Sequence, residues 1–416
     1  MKRKKILLVA PPYRGHLHPL LGIGRRLSSI ADVTVVSTPR GIAAAKAAGL
    51  SGCEVMVAHE SEIWAIVEPG CFVKNHPLLL YRQLKSNVAI MLDFHKEFSA
   101  ICKETSPDLV IADFTIPVAG LVATDYGIPW WTTMPSPCVL ETPDGPPAYF
   151  GGQIPATTLH QRMLHALLRA ATRLFKRLVW LRFWKQFRAM GYKRVYREDG
   201  SESIYSPLKV LGLSAAGIEF PRTYPKAFKL IGPVLYGPEF TGDTPDFSDT
   251  HAVHVLITIG THLPHAKEPL VATMKGLAQR HPQIVFHFSH GKAMSTSSRR
   301  ESNFHEYSYI DYEAHLSRYH LVVHHGGSGV MNHCLRHGIP TVVFPHDYDQ
   351  FDCAARMAYH GLAYQVKGAD ELEDAMLRAL ADAELHERCK AFAEIHQTYD
   401  AEGEVLALVK ALEANR

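Results

Sequence analysis

Short apolar segments alternate with helix-length segments in two series along the chain, and this alternation constrains the fold more than any other feature. The segments of the first series are Ile6–Ala10, Val33–Ser37 and Leu109–Ala112. Those of the second series are Val253–Ile259, Ile284–Ser289, Leu321–His324 and Thr341–Phe344. Continuous apolar runs are typical of strands buried on both faces, so the pattern predicts α/β structure with parallel sheets covered by helices.

The length of the chain and one turn-rich segment favour two domains. A chain of 416 residues is long for one domain. Residues 232–249 are rich in Gly, Pro and Asp, as is typical of a linker. Helices are predicted over Pro19–Ser29, 157–190, Asp370–Ala381 and Leu385–Leu412. Two doubly wound domains in tandem are expected to bind ligands in the cleft beyond the C-terminal ends of their strands.

Composition excludes several classes of protein. A formal net charge of +3 is too small to favour nucleic acid as a partner. The seven cysteines are scattered without a CxxC spacing, which favours reduced thiols and a cytoplasmic protein. No apolar run approaches the roughly 18 residues that a membrane span needs, and the first run ends at Pro11-Pro12.

A glycine-rich turn follows the apolar segment Leu321–His324. The sequence His325-Gly326-Gly327-Ser328-Gly329 lets backbone amides at the start of a helix approach an anion closely. By itself such a turn predicts anion binding only weakly. His324 and His325 are adjacent on a strand, so they face opposite ways and are poorly placed to share a metal ion.

The spacing downstream of this turn resembles the donor-binding motif of the family 1 UDP-sugar-dependent glycosyltransferases, of the bacterial natural-product or macrolide type. The matching residues are His325, Gly327, Gly338, Pro340, Pro345, Asp349 and Gln350. The resemblance implies the GT-B fold, in which two Rossmann-like domains face a cleft. It gives an acceptor-binding domain at 1–231, a linker at 232–250, a nucleotide-sugar-binding domain at 251–395, and a helix at 396–416 that packs back on the first domain.

The same resemblance assigns the donor site, which is expected to work without a metal ion or cofactor. The residues implied for the diphosphate are Gly260, Thr261, His325, Gly327, Ser328 and Gly329. Tyr309 is expected to stack on the base, and Asp349 and Gln350 to bind sugar hydroxyls. Asp347 and Asp349 also form a DxD pattern that could hold a divalent cation, an alternative that the surrounding motif disfavours.

Three positions depart from the family pattern within this motif. Val330 replaces a hydroxyl residue, His333 replaces the glutamate that binds the ribose, and Cys353 replaces an asparagine. The choice between UDP and dTDP therefore stays open.

The first strand–helix turn contains Gly15-His16 followed by Pro19, which resembles the GHxxP motif of these transferases. The resemblance implies that His16 is the catalytic base and that Asp113, after the segment Leu109–Ala112, orients it. A histidine titrates near neutral pH, as a general base requires. His18 is a weaker alternative for the base.

The stretch from Gly145 to Arg197 has no acidic residue and eleven Lys or Arg residues. Its helical part can pack in the core, border a pocket for an amphiphilic acceptor, or contact the inner membrane surface from the cytoplasm. By resemblance, the acceptor-pocket wall lies nearby, at Ser136, Glu141, Tyr149 and Phe150.

The sequence therefore predicts an inverting glycosyltransferase that moves a hexose from a UDP- or dTDP-sugar to a hydroxyl of a small hydrophobic or aromatic acceptor. A nucleotide-sugar epimerase of the same fold is one alternative. A non-catalytic nucleotide-sugar-binding partner is another. The presence of both His16 and Asp113 favours the transferase, because neither alternative needs an acceptor base.

Overall fold

The computed structural model describes residues 3–67, 77–237, 244–261, 263–291 and 298–414. Its strands form two seven-stranded sheets, with order β3-β2-β1-β4-β5-β6-β7 in the first and β10-β11-β9-β8-β12-β13-β14 in the second. The first sheet contains β1 Lys4–Val9, β2 Ala31–Ser37, β3 Ser51–Glu54, β4 Leu109–Asp113, β5 Trp130–Met134, β6 Lys209–Gly212 and β7 Phe228–Leu230. The second contains β8 Val253–Thr258, β9 Ile284–Ser289, β10 Ser298–Glu301, β11 Phe304–Tyr307, β12 Leu321–His324, β13 Thr341–Val343 and β14 Ala363–Gln365.

Helices cover both sheets. The first half contributes α1 Arg14–Leu27, α2 Pro39–Ala47, α3 Glu60–Val67, α4 Pro77–Thr105, α5 Pro117–Asp125, α6 Leu159–Arg182 and α7 Trp184–Ala189. The second half contributes α8 Pro264–Arg280, α9 Tyr312–His315, α10 Ser328–His337, α11 Gln350–Tyr359, α12 Leu372–Ala381, α13 Ala383–His396 and α14 Ala401–Ala414. Every described strand pair is parallel except β10 with β11, and the predicted fold of two Rossmann-like domains is confirmed.

Each sheet has a central point where the strand order reverses direction. In the first sheet the reversal lies between β1 and β4, and in the second between β8 and β12. Loops diverge at such a point and leave a crevice at the carboxyl ends of the strands, where ligands of open α/β sheets bind. His16 and Asp113 lie at the first crevice, and Gly260 and His325 lie at the second.

The helix predictions need three corrections. Helix α1 begins at Arg14, so the predicted turn around Gly15 is already helical and Pro19 lies inside the helix. The missing N–H of Pro19 costs only a bond to the carbonyl of Gly15, near the helix start. The predicted helix Leu385–Leu412 is two helices, α13 and α14. The predicted helical segment 157–190 is likewise two helices, α6 and α7. Several elements were not predicted, among them β3, β5, α3 and α4.

The last helix returns to the first domain. Ala401, Val405 and Val409 of α14 are buried in the same apolar cluster as Leu20 and Ile23 of α1. Because the C-terminal segment spans both halves, part of the first core forms only when the whole chain has folded. The predicted linker 232–250 includes residues 238–243, which lie outside the described residues.

Candidate active site

His16 and Asp113 form a buried pair at the first crevice. The Nδ1 atom of His16 lies 3.0 Å from Oδ1 and 3.1 Å from Oδ2 of Asp113. The carboxylate has no exposed surface, whereas 26% of the His16 side chain is exposed. Since the carboxylate accepts the Nδ1 proton, the neutral imidazole keeps Nε2 unprotonated as a base.

The environment of this pair tunes the basicity of His16. Burial alone would lower the pKa of His16, but the adjacent Asp113 carboxylate outweighs burial and raises the pKa above the ordinary 6.5. Asp113 is held in turn by the backbone amide of Thr115, which donates to Oδ1 over 2.9 Å. The arrangement is that of an imidazole oriented by a fixed carboxylate, which suits proton abstraction.

His18, the alternative base, lies in a different environment. Burial, reinforced by the neighbouring positive charge of Arg14, lowers the pKa of His18 to about 4. An imidazole with so low a pKa is a weak base at neutral pH. The geometry therefore favours His16 over His18.

A cavity of about 440 Å³ opens beside His16. Its wall is largely apolar, and it also includes Asp349 and Tyr348 from the second domain. Charge on Asp349 contributes to the raised pKa of His16, after the larger effects of burial and Asp113. The cavity thus brings the predicted base and one predicted sugar-binding residue to the same space.

Helix α4 forms one wall of this cavity, and the sequence reasoning missed it. The lining residues from α4 are Gln83, Asn87, Ile90, Met91 and Phe94. Their spacing of three, four and seven residues places them on one helix face. That periodicity is visible in the sequence and could have identified the helix, but not the pocket that it borders.

Of the four residues predicted for the acceptor wall, only Tyr149 lines the described cavity. Ser136 is buried, and Phe150 is 36% exposed. Glu141 accepts from the Tyr196 hydroxyl over 3.0 Å and pairs with Arg173 at 3.4 Å, so its carboxylate fixes α6 instead. Contact of Ser136, Glu141 and Phe150 with an acceptor therefore stays a prediction.

Two glycines flank the ring of His325 at the second crevice. A Cβ atom on Gly327 would lie 2.5 Å from Nε2 of His325, and one on Gly260 would lie 2.8 Å from its Cε1. Gly260 also has a positive φ of 72°. A side chain at either position would displace the imidazole, so the glycines are needed for its placement.

The side chain of His324 stabilises the turn that carries His325. Nδ1 of His324 accepts a hydrogen bond from the Gly326 amide over 3.0 Å. Burial lowers the pKa of His324 to about 3, so the ring stays neutral and able to accept. The two adjacent histidines therefore differ in role, because His324 is a structural core residue.

Helix α10 begins at Ser328, with Gly327 at its N-cap position. Among the described residues no side chain caps this end, and a Cβ on Gly329 would meet nothing within 4 Å. The first amides of an uncapped helix, with the positive end of its dipole, can bind a diphosphate. Ser328 and Gly329 are placed for this role at the mouth of the crevice.

The remaining predicted donor residues lie around this turn. Oε1 of Gln350 accepts from the amides of His346, over 2.9 Å, and of Asp347, over 3.1 Å. Gln350 therefore orders the loop before α11. The guanidinium of Arg14 lies 4.9 Å from the centre of the Tyr309 ring, and Thr261 follows Gly260 directly.

Polar contacts cross between the domains next to the cavity. The Tyr149 amide donates to Oδ2 of Asp352 over 2.9 Å. Deeper in the interface, Nε of Arg356 lies 3.1 Å from Oε2 of Glu219, and both side chains are almost fully buried. Pairing with a buried carboxylate satisfies the Arg356 charge, so these contacts define how the two walls of the cleft meet.

Two groups of side chains converge closely enough to hold a metal ion within the described chain. One consists of Cys138, Asp349 and Cys353, and the other of Glu313, His333 and His337. In the first group, a hydrogen bond with Cys138 and then burial raise the pKa of Cys353 well above its ordinary value, which disfavours the thiolate that binds metals. Asp347 of the DxD pattern belongs to neither group.

Comparison with known proteins agrees with this architecture. Residues 272–411 match the family described as erythromycin biosynthesis protein CIII-like, C-terminal domain. A zeaxanthin glucosyltransferase from Pseudescherichia vulneris is 23% identical over 308 residues, 70% of this chain and 71% of that protein.

Solved structures share the fold over almost the whole chain. The glycosyltransferase of kitacinnamycin superposes with a TM-score of 0.74 at 19% identity, covering 99% of both chains. Glycosyltransferase VinC in complex with dTDP gives a TM-score of 0.66 at 17% identity, covering 99% of this chain and 100% of that chain. Together with the family match over residues 272–411, these similarities confirm the GT-B fold and an enzyme of the glycosyltransferase class, similar to those of the natural-product type.

Proposed function

We propose that this enzyme is an inverting transferase that moves a hexose from a UDP- or dTDP-sugar to a hydroxyl of a small hydrophobic or aromatic acceptor. The observation that carries the proposal is the His16–Asp113 pair at the wall of an apolar cavity that also contains Asp349. An apolar wall with one basic group suits an acceptor whose single reactive hydroxyl must be deprotonated.

In the proposed reaction, Nε2 of His16 takes the proton of the acceptor hydroxyl as its oxygen forms a bond to the anomeric carbon. The bond from that carbon to the diphosphate breaks, and the diphosphate leaves with the electron pair. Attack from the face opposite the diphosphate inverts the anomeric centre. Asp113 stabilises the imidazolium that forms, as the carboxylate of a triad does.

The leaving diphosphate is proposed to bind without a metal ion. His325, the amides of Gly327, Ser328 and Gly329, and Thr261 would stabilise its charge. Asp349 and the amide nitrogen of Gln350 would bind sugar hydroxyls. A relative of this fold was solved with dTDP, and the second domain here has the same layout, which supports a nucleoside diphosphate donor.

Calorimetric titration with UDP, dTDP and NAD tests the donor half of the proposal without an acceptor. We expect micromolar binding of UDP or dTDP and none of NAD. Loss of stacking in Tyr309→Ala is expected to weaken binding by about 10-fold or more. His16→Ala is the matched control, because it removes a histidine from the opposite wall. Nucleotide binding that is indifferent to both Tyr309→Ala and His325→Ala would contradict the proposed donor site.

We further propose that helix α6 docks on an anionic membrane surface. Large apolar side chains run along one side of the helix at spacings of four, four, seven, four and three residues, and more than half of each is exposed. They are Leu159, Met163, Leu167, Leu174, Leu178 and Leu181. None of the described helices is long and apolar enough to cross a membrane. An amphipathic helix of this kind lies in the plane of the lipid interface instead.

Charge complementarity selects the partner of this surface. Neither α6 nor α7 contains an acidic residue. The exposed cations beside the apolar row are Arg162, Arg177, Arg182, Lys185 and Arg188. The opposite side of α6 is fixed to the protein, since Arg169 donates to the Gly145 carbonyl over 2.9 Å and Arg173 pairs with Glu141. Acidic headgroups with acyl chains beneath them match this pattern.

Cosedimentation with vesicles containing phosphatidylserine tests the docking surface. The double variant Leu174→Glu, Leu178→Glu is expected to lose binding, because it places two charges in the apolar row that would enter the lipid. Ile395→Glu changes an equally exposed residue on α13, 57% accessible, and should bind as the unmodified protein does. If the unmodified protein ignores vesicles, the proposal is wrong. A doubling of mass in solution that the double variant abolishes would identify the row as a dimer interface instead.

A further inference from the structure

A second cluster of ligand-type side chains, to which the proposed reaction assigns no step, lies where α9 meets α10. His333 and His337 are four residues apart on α10, so their rings are on the same helix face. Nδ1 of His333 lies 3.6 Å from Oε2 of Glu313, and Nε2 of His337 lies 3.7 Å from the same oxygen. All three ligand atoms lie within 4.8 Å of one another.

These separations are too long for good hydrogen bonds but close to those of ligands on one ion. Ligands about 2.0–2.2 Å from a tetrahedral zinc ion are roughly 3.3–3.6 Å from one another. The two nitrogens that face Glu313 are buried and have no hydrogen-bond partner. Buried polar atoms normally have a partner, so two that converge on one carboxylate oxygen without a hydrogen bond point to a ligand shared by all three side chains.

The burial of the cluster also suits a bound ion. The side chains of His333 and His337 are only 13% and 17% exposed, whereas that of Glu313 is 59% exposed, so an ion held there would remain reachable from solvent. Arg336 lies 4.0 Å from the other carboxylate oxygen, Oε1, and leaves Oε2 to the histidines.

We propose that Glu313, His333 and His337 bind a divalent transition-metal ion of the zinc type. Three protein ligands leave a fourth position for water or another ligand, as in zinc sites that are not purely structural. The ion would join α9 to α10, the helix whose first amides face the second crevice. This site goes beyond the proposed sugar transfer, and it can be tested without nucleotide or acceptor.

The test is a titration of the metal-stripped, full-length protein with Zn²⁺ in competition with a chromophoric chelator. We expect one tight site per chain, and at least about 100-fold weaker binding in His337→Ala and in Glu313→Gln. His281→Ala is the control, because His281 contacts Glu373 at 2.7 Å but does not belong to a three-ligand group. A thermal melt of each variant without metal checks that it folds.

Two results would overturn the proposal. One is unmodified protein that binds Zn²⁺ no more tightly than His337→Ala. The other is an equal loss in His281→Ala, which would show that scattered surface histidines bind the ion. Replacing Zn²⁺ with Co²⁺ gives an independent check, since visible absorption that is absent from Glu313→Gln would report ligation by this carboxylate. Neither result depends on whether the enzyme binds a sugar nucleotide.

Discussion

Each of the two crevices presents a histidine, but the residues around the two imidazoles differ. At the first, the imidazole of His16 is within hydrogen-bond distance of the carboxylate of Asp113 on the neighbouring strand. At the second, the imidazole of His325 lies between Gly260 and Gly327. The reversal of strand order provides the same opening twice, and the neighbouring side chains determine what each opening can do. A carboxylate orients one ring, whereas two glycines without side chains leave space for the other.

The largest effect expected from this difference is the loss of turnover in His16→Ala. Without the base, transfer should slow by about 10²–10⁴-fold, while the affinity for UDP or dTDP stays within about twofold. Steady-state rates with a transferable acceptor and calorimetry on the same sample separate the two quantities. An equal loss of nucleotide affinity would show that the first crevice is part of the donor site, and unchanged turnover would exclude His16 as the base.

Gly327→Ala is expected to lower the affinity for the nucleotide, whereas His16→Ala is expected to lower turnover. The added methyl group would press on Nε2 of His325 at 2.5 Å, so the ring must move away from the diphosphate. We expect nucleotide affinity to fall by about 10-fold or more, a loss of roughly 1.4 kcal/mol of binding free energy. Gly329→Ala is the control, because its Cβ would meet nothing within 4 Å. Equal losses in both variants would mean that helix backbone, not the ring, is being disturbed.

The pH dependence of turnover sharpens the assignment of the base. Asp113 raises the pKa of His16 above 6.5, so the rate should climb as pH rises through that higher value and frees Nε2. In Asp113→Asn the residual activity should climb at lower pH, because burial then lowers the pKa of His16 against only the smaller effect of Asp349. The pair also stabilises the fold most fully below pH 6.5, and this contribution is lost as pH rises through the raised pKa. If turnover rises at the same pH in both proteins, Asp113 does not set the pKa of the base.

The smallest expected effect is on the pH dependence of stability, and it concerns Asp352, which contacts Tyr149 across the two domains. Burial raises the pKa of Asp352 from 3.8 to about 6. A carboxyl with a raised pKa stabilises the fold most when protonated, so its contribution falls as pH rises from about 4 to about 6. Asp352→Asn should remove this part of the pH dependence of the free energy of unfolding, measured with urea at several pH values. A difference between the two proteins that is constant over this range would contradict the assigned pKa.

Several features of the molecule follow from the sequence because they depend on local patterns. Apolar runs predicted the buried strands of both sheets, since a strand covered on both faces admits few polar residues. The spacing from His325 to Gln350 predicted the class of enzyme, because bound phosphates restrict where glycines and helix starts can lie. The amphipathic helix between 157 and 190 was also visible, as its periodicity spans more than six turns.

Tertiary structure decided which residues, distant in the sequence, contact the elements that these patterns predict. No local rule joins α4 to the first strand–helix turn, so the cavity wall at Ile90, Met91 and Phe94 appears only when the sheet has assembled. Nor does any local rule direct Glu141 toward Tyr196 and α6, or bring Glu313 against the two histidines of α10. The sequence determined the fold class and the identity of the donor motif, because both depend on neighbours along the chain. Packing determined which polar groups meet, because partners distant in sequence set their pKa values and their ligands.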